Sequence, residues 1–207
     1  MFSENPSGAG NQQETVTPML ELDPQWVVGF VDGEGCFSVS IHQHPGVRSF
    51  GWQINPVFQV SQHRDARPAL DALARFFGCG RIRPKGASSS VEVFAVDRRK
   101  DLRMTVIPFF RDHPLVVKGR DFQRFAEITS LLDGGRHFTV TGFEQAVRLA
   151  YAMNANGRQR KRSLESVLAG SSETARQAPL LGAVKIQSDP HGDMGSGAEM
   201  TPPSLAH

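Results

Sequence analysis

The sequence predicts an α+β fold: a four-stranded antiparallel sheet framed by helices, in the order αββαββα, with additional C-terminal helices. Three observations predict it. A helix start stands at Asp23-Pro24. Two polar–apolar alternations follow at 36–44 and 52–62, and two short stretches at 81–85 and 91–96 read as a hairpin, each pair joined without a crossover helix. Apolar residues at helical spacing fill the stretches between and after these pairs.

Each element has a local reason. Asp23 is suited to cap a helix whose first residue, Pro24, has its φ preset and needs no N–H partner. WVVGFVDG continues that helix, and Gly33 and Gly35 end it. In the first strand Phe37, Val39 and Ile41 share a face, and in the second Trp52, Ile54, Phe58 and Val60 point inward. Pro56 interrupts that alternation and suggests a bulge or an edge position. Asp65 opens a helix carrying Leu70, Leu73, Ala74 and Phe77, which Gly78 and Gly80 break. The third and fourth strands form a hairpin across GASSS. Further helices are expected at 102–110, 118–132 (Phe122, Phe125, Ile128, Leu132) and 141–153 (Phe143, Val147, Leu149). The chain shows no internal repeat.

Composition bounds the function. Residues 1–20 and 170–207 are rich in Gly, Ser, Asn, Gln and Pro and are expected to be a disordered lead and tail, leaving 21–169 as the folded domain. The net charge is only +2, but 1–20 carries two acids and no base, and 172–207 carries four acids against Arg176 and Lys185. The folded segment is therefore more basic than the whole, which fits a polyanionic partner. No apolar run approaches the ~18 residues of a membrane span, and the N-terminus lacks the pattern of a secretory signal. The expected location is the cytoplasm or nucleoid of a bacterium, or an organelle. Cys36 and Cys79 are the only cysteines, too few for a zinc site or a disulfide scaffold. The histidines show no ligand pair at helical spacing.

The stretch VVGFVDGEG (27–35) carries the chemistry. Gly29 and Gly33 lie four apart on one helix face, where missing side chains let another backbone approach. Each helical glycine costs about 0.5–1 kcal/mol against alanine, so a packing gain should compensate. Asp32 and Glu34 stand at the negative end of the helix dipole, an unfavourable place that a divalent cation would make favourable. A plain helix end with solvated acids is the competing reading of these residues alone.

VVGFVDGEG resembles the LAGLIDADG homing endonuclease family motif, in its single-motif form, with Val28 bulkier than the family's usual alanine. The resemblance extends to NPVFQVSQ, FFGCGRIRPK, PFFRDHPLVVKGRDF and AMNANGRQRKRSLESVL, and covers about 21–169. It implies a LAGLIDADG fold whose curved antiparallel sheet binds double-stranded DNA, and hydrolysis of phosphodiester bonds with Mg²⁺, for which Mn²⁺ can substitute. It gives Glu34 the metal-binding role, at a place where Asp is common, and Asp32 the role of orienting the turn and helix. Gln62 matches the polar residue that places the water or metal shell, and Lys118 the basic residue near the attacked phosphate, with Arg64 and Arg67 as nearby candidates. It also implies an intron-encoded homodimer on a long near-palindromic site, joined through Val28, Gly29, Asp32 and Gly33.

The strands supply the reading face. Ser38, Ser40 and His42 (with Cys36 and His44), Gln53, Asn55 and Gln59, and Arg81, Arg83 and Lys85 alternate away from the apolar set. Gln and Asn can pair with adenine, Arg and Lys with guanine. Arg158, Arg160 and Lys161 are expected on phosphates. Two other functions stay open on the same fold: an RNA-splicing maturase, which would bind RNA and not need Glu34, and a non-catalytic DNA-binding regulator.

Overall fold

A computed structural model of the protein describes residues 21–44, 46, 50–154, 160 and 162–177, without the side chains of 172–177. Helix α1 (Pro24–Glu34) starts as expected: the Asp23 carboxylate accepts from the N–H groups of Gln25 at 2.7 Å and Trp26 at 3.3 Å. It runs directly into β1 (Gly35–Gln43) through Gly35, where a Cβ would stand 2.7 Å from the Val31 carbonyl oxygen. Strand β2 (Trp52–His63), a 3₁₀ turn (Arg64–Ala66) and α2 (Arg67–Phe77) follow, then the hairpin β3 (Arg81–Pro84) and β4 (Val91–Val96).

The sheet order is β1-β2-β4-β3, antiparallel throughout. One face is apolar and covered by helices. Phe37 is its centre, with the rings of Phe58, Phe110, Phe122 and Phe125 all within 5.5 Å. Fully burying one such side chain contributes about 1.5–3 kcal/mol, so this cluster accounts for much of why the strands pair in this register.

Pro56 does not break the alternation. It is buried in phase with Ile54 and Phe58, and β1 and β2 pair one to one without a bulge. The Arg64 N–H bonds toward the β4 side, at Ser90, and the Gly51 carbonyl bonds toward β1, at His44, so even-numbered residues of β2 point their backbone groups toward β4. β4 reaches only to Phe58. The nitrogen of Pro56 therefore faces an open edge, and no ladder bond is lost; the edge half of the expectation holds and the bulge does not.

The helix expected at 102–110 is longer and irregular. α3 (Arg99–Asp101) continues through a π turn (Leu102–Val106) into α4 (Ile107–Asp112). The wide turn ends two residues before Pro108, which lacks the N–H that an α-helical ladder would use. Helices α5 (Gly119–Asp133), α6 (Val140–Ala152) and α7 (Leu164–Gln177) complete the order, with a 3₁₀ turn (Arg136–Phe138) between α5 and α6. α7 crosses the boundary expected at 169/170. Gly170 lies against Trp52, and Ser171 is buried, so packing carries the helix past the change in composition.

Candidate active site and nucleic-acid interface

The end of α1 is fastened to the start of α5 by a two-way clamp. The Asp32 carboxylate accepts from the backbone N–H groups of Val116 at 2.7 Å, Val117 at 3.2 Å and Lys118 at 3.0 Å. These donors lead into α5, where a negative charge is stabilised. In return the Lys118 ammonium donates to the Asp32 carbonyl and, at 3.1 Å, to the Gly33 carbonyl. A cation there satisfies acceptors that a helix C-terminus leaves open. Asp32 is thus an orienting residue, and its carboxylate is committed within its own chain.

Glu34 is different. It is exposed at the last position of α1, and its carboxylate has no hydrogen-bond or ion-pair partner among the described residues. Gln62 is placed at the same end of the sheet: Val60 lies opposite Gly35, and Ser61–His63 extend past it on the side where α1 ends. Glu34, Gln62 and Lys118 therefore converge on one end of the sheet. Arg64 and Arg67 lie beside Gln62, whose partner on β4 is Glu92, but are engaged within the chain. Arg64 donates to the Ser89 carbonyl at 3.2 Å, and Arg67 binds Asp71 and Glu92, both at 2.9 Å. Those hydrogen bonds, to Asp71 first and then Glu92, raise the Arg67 pKa further above an already high value. Among the described residues no three His, Cys, Asp or Glu side chains gather as a metal cluster.

The polar face of the sheet lies where alternation puts it. Cys36, Ser40 and His42 stand opposite Gln59, Asn55 and Gln53, with Ser38 opposite Val57. The row from Cys36 and Gln59 continues through Ala95 to Arg81, and the row from Ser61 and Val93 ends on Arg83. Lys85 follows at the hairpin, its N–H on the Val91 carbonyl at 2.9 Å. Two pairs on this face were not readable from the strands alone. His42 Nε2 and Gln53 Oε1 are 2.9 Å apart, and both Nη atoms of Arg81 grip the Asp97 carboxylate. Burial pushes the Cys36 thiol above its usual pKa, opposed by the Lys118 charge.

The bases expected on phosphates belong to the connection between α6 and α7. Arg160 lies 4.4 Å from the centre of the Tyr151 ring and donates to the Ala150 carbonyl; burial lowers its pKa. These contacts tie it to α6, and it also lines the open pocket that borders Ser38, Ser40, His42 and Gln59. Arg158 and Lys161 lie outside the described residues. Arg162, the last base of the run expected on phosphates, is exposed and donates to Gln43 at 2.9 Å. Asn154, which the sequence did not single out, ties the same connection to the sheet edge: its side-chain amide donates to the Phe37 carbonyl at 3.1 Å and its N–H to Asp121 at 3.3 Å.

The expected dimer face is also revised. Val28 is 7% exposed and belongs to the core, because the helix turns it toward the sheet. Gly29 and Gly33 are exposed, and a Cβ built on either meets nothing within 4 Å. Trp26, 42% exposed, and Phe30 stack at 4.7 Å on the same side. Their spacing to Gly29 and Gly33, three or four residues along the helix, was the signal that could have found them.

A profile of the LAGLIDADG endonuclease family matches residues 27–129. The chain is 33% identical over 147 residues to Homing endonuclease I-ApeII of Aeropyrum pernix, covering 69% of this chain and 86% of that protein. Among solved structures it is similar to the archaeal intron-encoded homing endonuclease I-Vdi141I complexed with DNA, with a TM-score of 0.68 and 31% identity, over 74% of this chain and 96% of that one. It is also similar to I-SmaMI bound to uncleaved DNA in the presence of calcium ions, with a TM-score of 0.65 and 26% identity, over 72% of this chain and 49% of that one. No helix among the described residues is long and apolar enough to cross a membrane. The motif at the end of α1, the sheet it feeds and these likenesses together establish that the chain belongs to the LAGLIDADG endonuclease family.

Proposed function

We propose that this protein is a site-specific endonuclease of double-stranded DNA that acts as a homodimer with Mg²⁺. The observation that carries this reading is the end of α1. A Glu34 carboxylate without a partner among the described residues terminates an open glycine face, at the end of the helix whose carbonyls hold Lys118. One chain offers one such carboxylate. Two copies meeting at the Gly29/Gly33 face would bring two together, and their repulsion is offset by shared divalent cations. The chain spans nearly all of I-Vdi141I but 49% of I-SmaMI, as one of two equivalent units would, which supports the two-copy reading.

Glu34 would hold Mg²⁺ through hard oxygen ligands, completed by DNA phosphates and the partner copy. Bound there, the metal supplies charge neutralisation at the phosphate and a water of lowered pKa. The chain's own groups do the remaining work. The clamp keeps the Lys118 ammonium within reach of developing negative charge, and Gln62 orients a water by its amide. The polar sheet face reads base edges in the major groove. The test is selection of cleaved sequences from a randomised duplex library with Mg²⁺. A single recovered near-palindromic site supports the reading, and cleavage of single-stranded RNA alone, or of no nucleic acid, overturns it.

A further inference from the structure

Most of the reading face is uncharged or basic, and Asp97 stands out as an acid on it. Asp97 lies two residues beyond Ala95, on the side of the sheet shared with Gln59 and Arg81. An acid on a surface that meets phosphates weakens binding to every sequence alike. An exposed arginine–carboxylate pair adds little to folding stability. A group with those two properties calls for a return in selectivity.

The geometry points to one: we propose that Asp97 is a specificity-determining residue that fixes Arg81 as a guanine-reading fork. The proposal rests on the reading of this sheet as the DNA interface. Nη1 of Arg81 donates to Oδ1 of Asp97 at 2.9 Å, and Nη2 donates to Oδ2. Two parallel bonds set the plane of the guanidinium, which one bond would leave free to turn. The side chains are 57% and 32% exposed respectively, so the acid sits behind and the arginine outward. The bonds occupy the edge between the two Nη atoms. They leave Nε–H and the Nη–H on the same side of the fork, a two-donor edge that matches O6 and N7 of guanine. The carboxylate also repels a phosphate from the same guanidinium, which keeps Arg81 on bases. Arg83 and Lys85 have no acid partner among the described residues, so Arg81 is the one base of β3 held this way.

The experiment uses the full chain, with base preference read from a randomised duplex library bound in Ca²⁺, and affinity for a scrambled duplex read beside it. Asp97→Ala should lose about tenfold selectivity for guanine at one symmetric pair of positions, the scale of one bidentate contact. Its affinity for scrambled duplex should rise a few-fold. Asp97→Asn, which keeps the shape without the charge, should raise scrambled affinity equally while losing less selectivity. In an Arg81→Ala background, Asp97→Ala should leave base preference unchanged. Wild-type preferences at every position in both Asp97 variants, or an equal change with and without Arg81, would overturn the proposal. If the unmodified protein selects no site at all, the DNA-interface reading fails first. Selection of a site that the Asp97 variants select equally well removes this inference alone.

Discussion

The Asp32 carboxylate rests on the N–H groups of Val116, Val117 and Lys118 while the Lys118 ammonium reaches back to the carbonyls of Asp32 and Gly33. The two residues are 86 apart in sequence and hold each other by opposite ends of two helices. Hydrogen bonds to a charged group contribute about 1.5–3 kcal/mol each at most, and the three here share one carboxylate. Asp32→Asn should therefore lower stability by about 2 kcal/mol and slow cleavage as well, since Lys118 loses its seat. Lys118→Met should slow cleavage strongly with a smaller loss of stability. Thermal unfolding and single-turnover cleavage measured on both variants separate the two. Equal loss of stability with unchanged cleavage in Lys118→Met would remove the lysine from the chemistry.

Glu34→Gln should abolish cleavage and leave DNA affinity within a few-fold. The substitution keeps volume and removes the charge that would hold a metal. Folding should not change, because Glu34 is exposed and supports nothing else among the described residues. Gel-shift affinity and cleavage with Mg²⁺ on the same preparation check this. Cleavage near the wild-type rate would move the metal site elsewhere.

Most of the elements were legible in the sequence because their signals are local. Alternation pointed to β1 and β2, the hairpin pattern around GASSS to β3 and β4, and Asp23-Pro24 to the start of α1. The candidate site was legible as a group because Gly29, Asp32, Gly33 and Glu34 fall in one short motif. What the sequence hid depends on contacts between distant segments. Nothing near Asn154 says that its amide will meet Phe37, 117 residues away. Arg160 sits in a run of bases that looks like a solvated phosphate-binding loop, yet Tyr151 and the Ala150 carbonyl claim its guanidinium. Val28 falls inside the motif, but the rotation of α1 against the sheet, and not the motif, decides that it faces the core.

His137 gives a pH dependence with a definite sign. It is buried, its Nδ1 has no partner among the described residues, and desolvation lowers its pKa, aided by Arg99 and opposed by a bond to the Leu131 backbone. The unfolded chain therefore binds a proton more readily than the folded one. Stability should fall as pH drops through the ordinary histidine value of about 6.5, and the loss should level off below the lowered folded value. Melting temperatures at pH 7.5 and 5.5 test this against His137→Phe, which cannot titrate. The variant should show a smaller difference between the two pH values, and an equal difference would assign the effect to other groups.

The open face of α1 makes the dimer testable without confusing assembly with folding. A Cβ at Gly29 meets nothing within 4 Å, so a larger side chain there has room in the single chain. Replacing a helical glycine by leucine should stabilise the isolated fold by about 0.5–1 kcal/mol, through the lower backbone entropy of the unfolded state. The same side chain would hold a second α1 away, because the copies can approach closely only where both lack side chains. Trp26 and Phe30 would lose their cover with it. Gly29→Leu should therefore abolish dimers and cleavage in both strands while preserving or raising the melting point of the monomer. Light scattering at micromolar concentration, with and without target duplex, reads the first effect. A Gly29→Leu protein that remains dimeric and cuts both strands would place the interface on another surface. Loss of the fold in the variant would instead show that this face is closed within one chain.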